Sequence, residues 1–140
     1  MISRPAPGVC WLPLGLRENG GKLIMIELDE KRYAQATRSF AATGLDSIID
    51  ARNANALTET EKVEGPLDPV FIDAWKNDYI KYLKMVLPKV RKGGVIIAHN
   101  IYNNATGMLD FIEEIKTNPA LKTEFLALGT GQGLSLSIKQ

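Results

Sequence analysis

The sequence predicts an α/β fold, a mostly parallel sheet covered by helices and finished by one antiparallel strand. Three observations lead there. Short apolar runs at Leu23–Ile26, Val70–Ile72 and Gly94–Ala98 are each bounded by polar residues, as suits strands buried on both faces. Stretches of helical periodicity separate these runs, the pattern of βαβ units. Near the end, Thr123–Leu128 and Leu134–Ile138 flank the glycine-rich 129–133, a connection suited to an antiparallel hairpin.

The elements follow in order. Met1–Pro7 holds two prolines and reads as irregular lead-in. Val9–Arg17 is mostly apolar and closes on Asn19, Gly20 and Gly21, a short buried helix bent by Pro13. Lys22–Leu28 is the first strand. Asp29 is placed to cap a helix from Glu30 to Thr43, with Tyr33, Ala34, Thr37, Phe40 and Ala41 on one face and Gly44 as its stop. Ser47–Ala51 is a weaker strand, and Leu57–Val63 one or two helical turns. Pro69 sets the next strand to begin at Val70. Asn77 or Asp78 caps a helix from Tyr79 to about Val90, with Ile80, Leu83, Val86 and Leu87 inward and Pro88 kinking or ending it. After the Gly94–Ala98 strand, Thr106 caps a helix over Gly107–Thr117 that turns Met108, Leu109, Ile112 and Ile115 inward.

The 140 residues suffice for one domain that buries roughly two-thirds of its unfolded surface. The net charge of +1 sets up no field to recruit nucleic acid or an anionic membrane, and no nucleic-acid motif is present. Cys10 stands alone, which excludes a disulfide framework, fits a cytoplasmic protein, and reads as a small buried hydrophobe. No apolar run approaches membrane-spanning length. No G-x-G-x-x-G follows a strand, which argues against a nicotinamide dehydrogenase.

Ligands in open α/β sheets sit beyond the carboxyl ends of the strands. Those ends carry Glu27 on the first strand, Asp73, Trp75 and Lys76 after the Val70 strand, and His99 and Asn100 after the Gly94 strand. Each has a plain alternative role: a solvated lysine at a helix entry, a carboxylate capping a turn, a hydrogen-bonded structural histidine.

The order of elements, with Phe71-Ile-Asp-Ala-Trp-Lys76 and Lys92-Gly-Gly-Val-Ile-Ile-Ala-His-Asn100 at its centre, resembles the class I S-adenosylmethionine methyltransferases. More narrowly it is similar to the catechol O-methyltransferase-like enzymes of small molecules, from about Trp11 to Lys139. The resemblance implies a Rossmann-like methyltransferase sheet and methyl transfer from S-adenosylmethionine to a hydroxyl of a small phenolic acceptor. It also implies that Glu27 binds the cofactor ribose, that Asn55 and Ala56 lie beside the adenine, and that Trp75 packs on the cofactor. Asp73 and Asn100 match two ligands of a divalent cation, and Lys76 matches the general base. That chemistry is coherent, since a phenol with a pKa of about 10 must lose its proton before it attacks the methyl group.

Two departures stand out. His99 occupies the place of the second metal-binding aspartate, and an imidazole favours Zn, Fe, Ni or Cu over Mg²⁺. The family's first strand and Gly-rich loop should precede Trp11, where Ser3–Gly8 stands instead. The expectation is therefore a single, N-terminally truncated methyltransferase domain over 1–140, its first strand missing or degenerate. The strands that flank the missing one would keep unpaired edges. The lead-in then pairs as a distorted strand, two chains form a homodimer, or the sheet closes without it. The alternative to an enzyme is a non-catalytic remnant that keeps the fold without the cofactor cradle.

Overall fold

The computed structural model describes residues 11–102, 105–127 and 132–140. Cys10, the lead-in, Asn103, Asn104 and most of the expected hairpin turn lie outside them, as do the side chains of Trp11 and Thr106. The chain forms two compact units, Met1–Glu59 and Thr60–Gln140.

In the first unit, α1 (Trp11–Asn19) is followed by β1 (Leu23–Glu27), α2 (Glu30–Ala42) and β2 (Ile49–Asn53). Pro13 falls in the first turn of α1, where its missing N–H has no intrahelical partner to lose. Asp29 caps α2 as expected, its Oδ1 accepting the Arg32 N–H at 2.8 Å. Gly44 ends that helix with φ 65°, a left-handed turn that costs glycine little. β1 and β2 pair in parallel, from Leu23 opposite Ile49 to Glu27 opposite Asn53. Between them and α2 lies a core of Leu23, Met25, Ala36, Phe40, Leu45 and Ile49. Of the expected face Phe40 is buried and Tyr33, Ala34 and Thr37 are half-buried, Ala36 joins them, and Ala41 is exposed.

α3 (Ala56–Lys62) leads into the second unit, which contains β3 (Val70–Ile72), α4 (Tyr79–Val86), β4 (Val95–His99), α5 (Leu109–Thr117), β5 (Leu121–Ala127) and β6 (Gly133–Lys139). Its sheet runs β3-β4-β6-β5. β3 and β4 are parallel with Ile72 opposite Ala98, whereas β6 lies antiparallel to both β4 and β5. The antiparallel ending is thus present. Among the described residues β1 pairs with β2 alone and β3 with β4 alone.

Ile72, Leu83, Ile96, Ala98, Phe111 and Ile115 form the interior of the second unit, each at most 1% exposed. α4 ends at Val86, and Pro88 sits in the tight turn that follows. Its buried face is Tyr79, Tyr82, Leu83 and Val86. α5 turns Phe111 and Ile115 inward and leaves Leu109 61% exposed, against expectation. The preceding tight turn, Ala105–Met108, places the buried Met108 at the head of that stripe.

Two predictions arise from this packing. A Cβ added to Gly65 would meet the Lys89 carbonyl oxygen at 2.6 Å, beside the Leu67–Val90 bridge. Backbone cannot swing aside as a side chain can, so Gly65→Ala is expected to destabilise the protein by about 1–3 kcal/mol in urea titrations. Tyr82 is buried, and burial pushes its phenol above the ordinary value of 10.0, the Asp78 carboxylate adding to the effect. Because the folded value is the raised one, this contribution to stability is complete below pH 10.0 and is lost as the pH rises through the folded value. Thermal melts should fall across that range, and Tyr82→Phe should flatten the fall.

Candidate functional site

Parallel pairing of Ile72 with Ala98 brings the next residues, Asp73 and His99, to the same end of the sheet. The chain then turns sharply after β4, with Asn100 at φ 60°. Asparagine tolerates this left-handed region better than most residues, yet a non-glycine residue there is uncommon. After β3, a single turn over Lys76–Asp78 leads into α4 and returns Lys76 and Tyr79 over the strand ends.

The centre of this cluster is the Lys76 ammonium. Its Nζ donates to Asp73 Oδ1 and to the His99 carbonyl oxygen, both at 3.2 Å, and to Asn100 Oδ1 at 3.4 Å. It also meets the Tyr79 hydroxyl and stands 4.5 Å from the centre of the Tyr79 ring. One formal negative charge, three further oxygens and an aromatic face thus surround one positive charge, in a pocket that leaves the lysine side chain 18% exposed. Tyr79 is itself fully buried. Its hydroxyl donates to the His99 and Ile72 carbonyl oxygens at 3.2 and 3.3 Å, and its ring meets Phe111 edge to face at 5.4 Å. His99 Nδ1 lies 3.7 Å from Asp73 Oδ2, an ion pair only when the imidazole is protonated.

The structure therefore brings together Asp73, Lys76, His99 and Asn100. Trp75 occupies the same connection but is 70% exposed, free of the packing a core tryptophan would have. The other expected residues belong to the first unit. Glu27 is 8% exposed at the end of β1, and its Oε1 accepts the Asp29 N–H at 2.9 Å. The Asn53 amide holds the Glu27 carbonyl at 2.8 Å and so fixes the strand end behind the carboxylate. Asn55 is exposed; its Oδ1 accepts the Leu57 N–H at 2.9 Å, capping the start of α3 at Ala56. Sequence reasoning missed Tyr79, reading it as a helix start. The available signal was its place three residues beyond Lys76, on the same side of the helix turn.

The residues matched to divalent-cation ligands are Asp73, His99 and Asn100. Those three do not make a hard-cation site. One is a nitrogen donor, and Asp73 Oδ1 and Asn100 Oδ1 already accept from the lysine Nζ. Among the described residues no group of three His, Cys, Asp or Glu side chains could hold a metal ion.

Comparison with known proteins agrees with this fold. The methyltransferase domain family matches residues 8–101. A catechol O-methyltransferase from Niastella koreensis is 32% identical over 116 residues, covering 80% of this chain and 50% of that protein. A caffeoyl-CoA O-methyltransferase from Medicago sativa is 32% identical over 82 residues, 54% of this chain and 33% of that one. The chain thus spans half or less of the length of these two relatives. The O-methyltransferase from Bacillus cereus, solved in complex with SAH, superposes with a TM-score of 0.89 at 25% identity, covering 99% of this chain and 72% of that one. The chain belongs to the methyltransferase domain family, and within the class I S-adenosylmethionine methyltransferases it is of the catechol O-methyltransferase-like type. Its fold is the Rossmann-like methyltransferase sheet with an antiparallel end.

Among the described residues no helix is long and apolar enough to cross a membrane.

Proposed function

We propose that this chain carries the catalytic corner of an S-adenosylmethionine-dependent O-methyltransferase acting on a small phenolic acceptor. The observation that carries the reading is the Lys76 Nζ held at the carboxyl ends of β3 and β4 by Asp73, the His99 carbonyl and Asn100. The names of the Niastella and Medicago relatives, both O-methyltransferases, support it.

S-adenosylmethionine supplies an electrophilic methyl group on a sulfonium. The acceptor hydroxyl would approach Lys76; its O–H bond breaks as the proton passes to the neutral amine, and the freed oxygen pair forms the bond to the methyl carbon as the methyl–sulfur bond breaks with its pair returning to sulfur. The ammonium so formed is held by the oxygens that surround it and later loses its proton to solvent. Asp73 and the strand ends orient Lys76, and Tyr79 packs under its stem. Glu27 offers a buried carboxylate to the ribose hydroxyls, Asn55 and Ala56 line the adenine, and Trp75 gives the cofactor an apolar face.

Calorimetric titration with S-adenosylhomocysteine, followed by mass spectrometry of catechol incubated with S-adenosylmethionine, tests the proposal. It predicts a binding heat and catechol heavier by one CH₂. Neither binding nor methylated catechol would remove it.

A further inference from the structure

We infer that this site works without a hard divalent cation such as Mg²⁺, the protonated Lys76 being the positive charge that faces the acceptor oxyanion. The inference deepens the methyl-transfer reading and rests on it. Its basis is that two requirements compete for one set of oxygens.

A hard cation needs several oxygen ligands in near-octahedral array at about 2.0–2.1 Å for Mg²⁺. Among the described residues this corner offers the Asp73 carboxylate and the Asn100 amide, of which Asp73 Oδ1 and Asn100 Oδ1 lie 3.2 and 3.4 Å from Lys76 Nζ. The third side chain is the His99 imidazole, whose Nδ1 faces Asp73 Oδ2 at 3.7 Å. An ion seated between Asp73 and Asn100 would displace the ammonium or stand against it, two positive charges in a half-buried pocket. Nothing drives the ammonium out, because the His99 carbonyl and the Tyr79 ring hold it from the other sides. Tyr79 is in turn fixed by two carbonyl oxygens and by Phe111. The cradle is built for a monovalent, hydrogen-bonding cation.

In the reaction this charge does the work of a Lewis acid. Lys76 first releases one proton to solvent; the neutral amine then takes the acceptor's proton, and the ammonium so formed turns an N–H to the oxyanion as a charge-assisted donor. The oxyanion's electron pair forms the new C–O bond as the C–S pair returns to sulfur. No metal enters or leaves this balance.

The test joins metal binding to turnover. Mn²⁺ is titrated into the wild-type chain and into a Lys76→Ala/His99→Asp variant, with free ion read by electron paramagnetic resonance. The wild-type chain should leave the spectrum of free Mn²⁺ unchanged. The variant, with its ammonium removed and a carboxylate restored, should bind about tenfold or more tightly. Catechol methylation by the wild-type chain should persist in excess EDTA. Saturable Mn²⁺, Zn²⁺ or Ni²⁺ binding by the wild-type chain, coupled to loss of turnover in EDTA, would overturn the inference. A folded double variant with no gain in Mn²⁺ affinity would count against it equally. If the chain methylates nothing, the functional reading fails by itself, and the wild-type Mn²⁺ titration still decides whether a divalent cation has a seat.

Discussion

Lys76→Ala is expected to lower the rate of catechol methylation by about 10³-fold, within the range of losses for a general acid or base. Affinity for S-adenosylhomocysteine should stay nearly constant, since the cofactor is assigned to Glu27, Asn55, Ala56 and Trp75. The two readouts matter together. Removing the ammonium leaves the Asp73 carboxylate, whose side chain is 13% exposed, without its cation at 3.2 Å. Some destabilisation is therefore expected as well, and a melting curve must accompany the kinetics. Lys76→Arg keeps the charge but changes the shape of the donor, and it holds its proton too firmly to act as a base. It should restore the melting temperature and leave the rate low. If Lys76→Arg recovered full turnover, the amine would not be the proton acceptor.

Phe111→Ala carries the largest expected cost in stability, about 3–5 kcal/mol. Phe111 is 1% exposed and meets the Tyr79 ring edge to face, so truncation removes both buried area and an oriented aromatic contact. Against a total stability of about 5–15 kcal/mol, such a loss takes much of the margin. The effect should also reach the site. Tyr79 would lose the support beneath its ring and hold Lys76 less firmly, so the rate should fall even in cold, fully folded samples. Phe111→Leu should recover most of the stability. A loss below about 1 kcal/mol for Phe111→Ala would contradict the packing described, because truncation of a well-packed core aromatic costs several times that.

Much of the site could be read from the sequence because it is written at strand ends. An apolar run that stops on Asp73 and another that stops on His99 are period and polarity signals, and parallel pairing then brings the two together. What stayed hidden was carried by atoms with no sequence signature. The His99 carbonyl lies as close to Lys76 Nζ as the Asp73 carboxylate does, yet any residue would supply it. Tyr79 was concealed because its buried ring suits a core helix, although one ring face and the hydroxyl both meet Lys76. Helix faces were misjudged for a related reason. On α5 and the residue before it, apolar residues occupy 108, 109, 111, 112 and 115, a stripe wider than the sheet can cover. The choice of Phe111 over Leu109 is made by the sheet the helix meets. The same holds on α2, where the small Ala36 is buried and the equally apolar Ala41 is not.

The most direct test of the account is a single turnover with S-adenosylmethionine carrying a ¹³C-methyl group and catechol as acceptor, the product read by NMR. The account predicts that the label arrives on a phenolic oxygen and that Lys76→Ala abolishes its arrival while the cofactor still binds. Label on ring carbon, or undiminished transfer by the Lys76→Ala chain, would contradict it.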